Sequence, residues 1–248
     1  MLKRFLAMGL LSLSITITSG ADAAETMKIG ITTTGIPFSF VEASSNTTKG
    51  AMVDLAKAVA EDNGMEATFE VAAFAALIPS LNTGKIDAAS TGMFITDERK
   101  KIVNFSDPVY SYGEGMFVAA TDKDTNSREA LKGQAVGAQI GTAFVEPLKS
   151  LGIFGEVKVY DSIADIMRDV KLGRIKAGFG DGPIAVYQVQ HNPDLGVRMV
   201  DNYTPVVSNS IGLAVNKQNT ALLDKINASI RKFKASGELT KIFAKYGL

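Results

Sequence analysis

The chain has 248 residues, more than the ~100 to 200 of a usual single domain, so two α/β lobes and one large core both fit its length. A hydrophobic share of 46% beside 21% charged residues excludes a disordered or coiled-coil chain, and 26 basic residues against 26 acidic ones leave no global field to hold nucleic acid or an anionic membrane. Cysteine is absent, which excludes thiol catalysis, disulfides, zinc–thiolate sites and a lipid-bearing cysteine.

Lys3 and Arg4 precede an apolar stretch from Phe5 to about Ile17, and small residues follow, ending in Ala21-Asp22-Ala23. This is the pattern of a secretory leader over residues 1–23. Ser12, Ser14 and Thr16 interrupt the apolar run, which falls short of the ~20 residues a spanning helix needs. A mature chain beginning at Ala24 or Glu25, soluble in the periplasm and without a lipid anchor, is expected.

Met27 to Ile31 alternates as a strand, and Met52, Leu55, Ala56 and Val59 share one helical face that stops at Asn63-Gly64. Glu66 to Val71 reads as a strand, Phe74 to Asn82 as a short helix and Lys85 to Ala89 as a short apolar strand. Alternating β and α indicates an α/β fold with parallel sheets. The second half repeats the grammar: Val157 and Val159 in a strand, then Ile163, Ile166, Met167 and Val170 on one helical face, then Gly173 as a stop. The octapeptide from Leu81 to Ala88 resembles that from Val170 to Ala177, each setting a glycine before a basic residue and a buried strand, which suggests two lobes built alike. Leu223, Ile226, Ile230 and Phe233 mark an amphipathic helix that ends at Gly237, and a last helix follows.

Among candidate functional residues, the run from Gly92 to Lys101 is the most informative, with Thr96 as N-cap and Asp97 and Glu98 in the first helical turn. Arg99 opposes the helix dipole there by ~0.3 to 1 kcal/mol. A guanidinium beside free N-terminal amides would suit a carboxylate, and the bland alternative is a solvated arginine paired with Glu98 or Asp97. Gln139-Ile-Gly141-Thr142 follows a strand, so Gly141 could admit a ligand while the Thr142 hydroxyl donates to it. The glycines from Gly178 to Gly182 lack the spacing of a dinucleotide fingerprint, and Pro183 occupies the helix start. Asp181 is either an N-cap or an acceptor for a ligand ammonium. His191, the one histidine, reads as a surface residue, and Asp54, Asp87 and Asp107 read as caps and turns. No zinc spacing, Walker loop or nucleophile elbow is present, so no catalytic residue, metal or cofactor is expected.

With those residues read, the chain resembles the family of periplasmic binding proteins that serve polar-amino-acid ABC importers, over about Met27 to Leu248. The resemblance is carried by Ile36-Pro37-Phe38, Gly50 with Asp54-Leu55, Ile78 to Leu81, Gly84 to Asp87, Ile95 to Lys101, Phe105 to Pro108, Asp181-Gly182-Pro183, Ile211 to Val215 and Gly237 to Tyr246. It implies a two-lobed type II binding-protein fold: residues 24–108 and 212–248 in lobe one, 114–206 in lobe two, with hinges at 109–113 and 207–211. It also implies that Arg99 grips a ligand carboxylate, that Thr142 helps from the opposite lobe, that Asp181 receives the ammonium and that Phe74 lines the pocket.

Departures from the family pattern concern the ligand. Gly35 stands where many members place a ring, which removes a wall or leaves Phe38 to cover it; Phe94 replaces a threonine, Gln139 a basic residue and Ala143 a glycine. Phe74 with Phe94 resembles the aromatic pair of relatives that bind ectoine-type compatible solutes, where rings meet an alkylated or delocalised cation. The expectation is a monomeric, non-catalytic binder of a zwitterion that delivers to a membrane permease. The alternatives are a dehydratase on the same scaffold, with Asp181 or Glu146 as general acid, and a periplasmic ligand sensor.

Overall fold

The structure, a computed structural model, describes residues 25–248, so the leader read over residues 1–23 lies outside the described residues. The first lobe begins with β1 (Glu25–Ile31), followed by a small antiparallel meander of β2 (Thr34–Gly35), β3 (Ser39–Glu42) and β4 (Thr47–Lys49). Helix α1 (Ala51–Asp62), β5 (Met65–Val71), α2 (Leu77–Asn82), β6 (Ala88–Ala89), the single turn α3 (Asp97–Lys100) and β7 (Val103–Phe105) come next. Met27, Ile29 and Ile31 of β1 are buried in the same core as Met52, Leu55, Ala56 and Val59 of α1, which is the face the 3.6-residue period picks out. Leu77, Leu81 and Ile86 form a separate core with Ala89 and Met93. Two cores in one lobe follow from a sheet covered on both faces, with Ala88 facing one core and Ala89 the other.

The strand expected over Lys85 to Ala89 is shorter than its apolar pattern suggested. Only Ala88 and Ala89 enter the ladder, while Ile86 goes into the α2 core and Asp87 exchanges bonds with Lys28, its amide donating to the Lys28 carbonyl at 2.8 Å and its carboxylate accepting the Lys28 amide at 2.7 Å. The helix expected from Phe74 opens as a 3-10 turn over Phe74–Ala76.

The second lobe holds β8 (Tyr110–Ala119), β9 (Ala135–Gln139), α4 (Val145–Ser150), β10 (Glu156–Tyr160), α5 (Ile163–Lys171), β11 (Ala177–Asp181), α6 (Gly182–His191) and β12 (Val197–Met199), with sheet order β10-β9-β11-β8-β12. The chain returns through β13 (Ser208–Ile211) to β14 (Ala214–Asn216), which slots antiparallel between β6 and β7, and ends in α7 (Thr220–Ser236) and α8 (Glu238–Ala244). The octapeptide match is structural. Gly84 and Gly173 adopt φ of 71° and 68°, and in each case the next amide reaches back five residues, Lys85 to Ser80 at 3.0 Å and Arg174 to Asp169 at 2.9 Å, closing a Schellman turn before the buried strand.

Two antiparallel segments join the lobes, the first half of β8 and all of β13, in register from Tyr110↔Ile211 to Gly113↔Ser208. Beside them Glu114 is 1% exposed, and its carboxylate accepts the Tyr203 hydroxyl at 2.8 Å and the amides of Val206 and Val207 at 2.5 and 2.8 Å. Burial pushes this carboxyl above its usual range, and the three donors oppose the shift. Glu114→Ala leaves those donors without an acceptor. It is expected to cost about 3 kcal/mol, read as a fall of roughly 6–12 °C in Tm for a chain of this size; a Tm within 2 °C of the parent would refute the role given to Glu114.

Candidate functional site

The site is built around Arg99. Thr96 caps α3 by accepting the Arg99 amide at 3.2 Å, which directs the following side chain inward. The guanidinium is buried rather than solvated, and it pairs with neither Glu98 nor Asp97; Asp97 instead meets Lys100 at 3.2 Å. One guanidinium nitrogen donates to the Phe94 carbonyl of its own lobe at 2.6 Å, the other to the Gly141 carbonyl of the second lobe at 2.8 Å. Its carbon lies 5.6 Å from the centre of the Phe74 ring. Burial lowers the Arg99 pKa, opposed by Asp181 and Tyr112. Of the N-terminal amides expected beside the guanidinium, that of Arg99 itself is taken by Thr96.

Across the cleft Asp181 stands at the N-cap position of α6 but makes no capping bond. Its carboxyl faces the hydroxyl of Tyr112, a residue of the first crossing segment, and that same hydroxyl lies 2.6 Å from the Gly92 carbonyl. Burial raises the Asp181 pKa to about 6, against the lowering pull of Tyr112, its own backbone and Arg99. The Tyr112 ring stacks on Phe38 at 5.2 Å and meets Phe94 at 4.6 Å. A Cβ on Gly92 would fall 2.9 Å from the Tyr112 hydroxyl oxygen and 3.0 Å from the Phe38 ring, so only glycine leaves room for both.

This packing corrects two expectations. Phe38 is 0% exposed and Phe94 2%, and both lie against Tyr112. In this arrangement both rings face Tyr112 instead of the wall at Gly35, and neither is among the residues around the cavity beside Phe74. Phe74 does line the cleft, together with Thr32, Thr34, Thr91, Gln139 and Asp181, around a cavity of about 20 Å³. That is room for about one water. A wider groove of about 490 Å³ opens on the other side of Arg99, edged by Thr96, Glu98, Gly141, Thr142 and Glu146.

From the second lobe, Thr142 donates its hydroxyl to the Gln139 carbonyl at 2.6 Å, and Gln139 donates its side-chain amide to the Asp161 carbonyl at 2.9 Å, so Thr142 is aimed by its own turn and Gln139 by the end of the neighbouring strand β10. Gly141, at φ 78°, sits where the lobes touch; a Cβ there would be 3.1 Å from that of Ala75, so it admits the first lobe in the way it was expected to admit a ligand. His191 is exposed and stacks on Tyr187 at 3.9 Å. Asp54, Asp87 and Asp107 are taken by Lys245, Lys28 and Arg231. Among the described residues no group of three or more His, Asp or Glu side chains is placed to hold a metal ion. Sequence reasoning missed Tyr112 and the threonines. Thr32-Thr33-Thr34 stands at the carboxyl end of β1, where open α/β sheets place ligands, and that run was the available signal.

The chain is 37% identical over 235 residues to ABC transporter arginine-binding protein 1 of Escherichia coli (strain K12), covering 94% of this chain and 95% of that protein. An ancestral arginine-binding protein bound to glutamine matches in structure with a TM-score of 0.82 at 36% identity, over 90% of this chain and 98% of the other. The ancestral amino acid-binding protein AncCDT-1, a precursor of cyclohexadienyl dehydratase, matches with a TM-score of 0.78 at 31% identity, over 89% and 94%. These likenesses run through both lobes, and the chain belongs to the Bacterial extracellular solute-binding proteins, family 3, whose family model matches residues 27–248.

Proposed function

We propose that the chain is the substrate-binding component of an ABC importer and captures a polar amino acid or an amino-acid-like zwitterion between its lobes in the periplasm. One observation carries this reading. Arg99 and Asp181 are both buried at the cleft, of opposite chemical type, and neither has a counter-ion within 4.0 Å. A buried ionic group without a partner is costly, and a ligand with one carboxylate and one cationic group would meet both at once. Arg99 grips the carboxylate, Asp181 receives the cation, Phe74 forms the wall, and Thr142 with Gln139 closes from the second lobe. The names of the relatives, arginine-binding and glutamine-bound, support the same class.

The lobes, 24–108 with 212–248 and 114–206, move about hinges at 109–113 and 207–211. A cavity with room for one water does not accept an amino acid, so entry requires the Arg99–Gly141 bond across the lobes to part. Ligand contacts from both lobes exist together only in the closed form, so ligand shifts the population toward it and the permease can read closure. Ectoine-type solutes stay within the class, with the aromatic selection reduced to Phe74, a contact of roughly 0.5 to 2 kcal/mol.

A thermal-shift screen tests the class. Zwitterions such as L-glutamine, L-arginine or ectoine should raise Tm, while the corresponding amines without a carboxylate, and acids without a cation, should leave it unchanged; a hit of either half-charged kind would sink the reading. For the best zwitterion, Arg99→Ala should weaken binding by about 10²- to 10³-fold by calorimetry, the scale of breaking a buried ion pair. A loss under tenfold would place the carboxylate elsewhere.

The dehydratase reading has one observation in its favour: a buried acid, Asp181, raised to about 6 in the cleft. We expect no turnover of prephenate-type cyclic acids. Product formation that disappears in Asp181→Asn would replace the binding reading with the enzymatic one.

A further inference from the structure

With Arg99 and Asp181 given to the two charged ends of a zwitterion, the rest of the wall has to receive whatever third group the ligand carries. Around the cavity beside Phe74 that wall is made of hydroxyls and an amide, from Thr32, Thr34, Thr91 and Gln139, and of apolar carbons from Ile163 and Ile184. Asp181 is the one ionisable side chain among the described residues that line it. Other acids are committed or lie elsewhere. Glu114 is filled by Tyr203 and the amides of Val206 and Val207, Asp161 is exposed and offers its carbonyl to Gln139, and Glu98 and Glu146 edge the wider groove on the other side of Arg99.

Thr91 differs from its neighbours on this wall. It is 3% exposed, and its hydroxyl has no hydrogen-bond partner among the described residues. No fully enclosed polar side-chain atom among them is left without a partner, so this oxygen keeps an opening, and the cavity beside Phe74 is the space it borders. Thr32, by contrast, shares its hydroxyl with Ser39 at 3.1 Å. Gln139 has tied its side-chain nitrogen to the Asp161 carbonyl at 2.9 Å, which fixes the group and leaves its oxygen as an acceptor. A hydroxyl that donates or accepts, on the same wall as an amide oxygen that accepts, suits an uncharged amide, urea or hydroxyl.

We propose that the site selects zwitterions whose third group is neutral and polar, with Thr91 as a specificity-determining residue, and disfavours those that carry an extra charge. The proposal rests on the reading above, in which Arg99 takes the carboxylate and Asp181 the cation. Its physical basis is a charge count. One buried cation and one buried anion are matched by a ligand with one charge of each sign. A guanidinium, an ammonium or a second carboxylate on the third group would be withdrawn from water with no counter-ion in contact, and hydroxyls that solvate a charge do not neutralise it. A neutral amide gives up less hydration and meets Thr91 and Gln139 in return. L-arginine therefore stays within the zwitterion class, at its weak end.

Two pairs of near-isosteric probes separate charge from size: L-glutamine against L-glutamate, and L-citrulline against L-arginine. By calorimetry with the full chain at pH 7.5, the neutral member of each pair should bind at least about tenfold more tightly than the charged one. A smaller or reversed preference in either pair that binds overturns the proposal and leaves the zwitterion reading standing. Toward the tighter of the neutral probes, Thr91→Val, which keeps the shape and removes the hydroxyl, should weaken binding about 3- to 10-fold, while Thr91→Ser should retain the parental affinity. Because the hydroxyl serves no other protein group, the ligand-free Thr91→Val protein should keep its Tm within about 2 °C of the parent. Unchanged affinity in Thr91→Val, with or without a fall in Tm, would overturn the role given to Thr91. Binding of ectoine but of none of the four amino acids would overturn the neutral third group and again spare the zwitterion reading. Binding of no zwitterion at all would end that reading, and this proposal with it.

Discussion

A guanidinium removed from water must be met by acceptors, and Arg99 is met by one carbonyl from each lobe, Phe94 O and Gly141 O. Much of the site follows from that constraint. The capped turn of α3 brings the side chain inward, Gly141 lets the second lobe approach Ala75, and the Phe74 ring covers the guanidinium from one side. Carbonyls solvate a cation without neutralising it. The positive charge therefore remains available to an anion that arrives between the lobes, which is what separates this arrangement from a structural ion pair.

The opposite pole is arranged through aromatic packing. Tyr112 belongs to the segment that connects the lobes, its ring is held by Phe38 and Phe94 of the first lobe, and its hydroxyl reaches Asp181 of the second. Residues that looked like ligand contacts thus act one step back. Phe94 and Phe38 hold Tyr112, Tyr112 holds Asp181, and Gly92 leaves the space that makes the contact possible. Glu114, two residues along the same strand, ties down the return segment at Val206 and Val207, so one face of β8 serves the cleft while its neighbourhood secures the crossing.

The repeated helix-stop unit explains why both lobes present their strand ends to the cleft in a similar way. Gly84 and Gly173 each reverse the chain after a helix, set a basic residue outside and send a short buried strand toward the other lobe. In the second lobe that strand delivers Asp181; in the first, the stretch after it delivers Gly92 and Phe94.

Local sequence was enough for the element grammar, because helical and strand periods, glycine stops and the Thr96 cap are set by interactions within a few residues. It also singled out Arg99, Asp181 and Phe74, whose residue types sit oddly or pointedly in their local context. It overestimated the strand at Lys85–Ala89, where Ile86 is apolar for the α2 core and not for the ladder. It misjudged Phe94 and Phe38, since an aromatic side chain in a loop carries no local sign of whether it faces a ligand or another ring. Tyr112 was invisible as a site residue: its partners lie 20 and 69 positions away, at Gly92 and Asp181, and only the crossing of the two lobes brings those oxygens together. The sequence by itself determined the elements and the charged groups they carry; the tertiary structure decided which of those groups meet, because burial and hydrogen-bond count are properties of the assembled lobes.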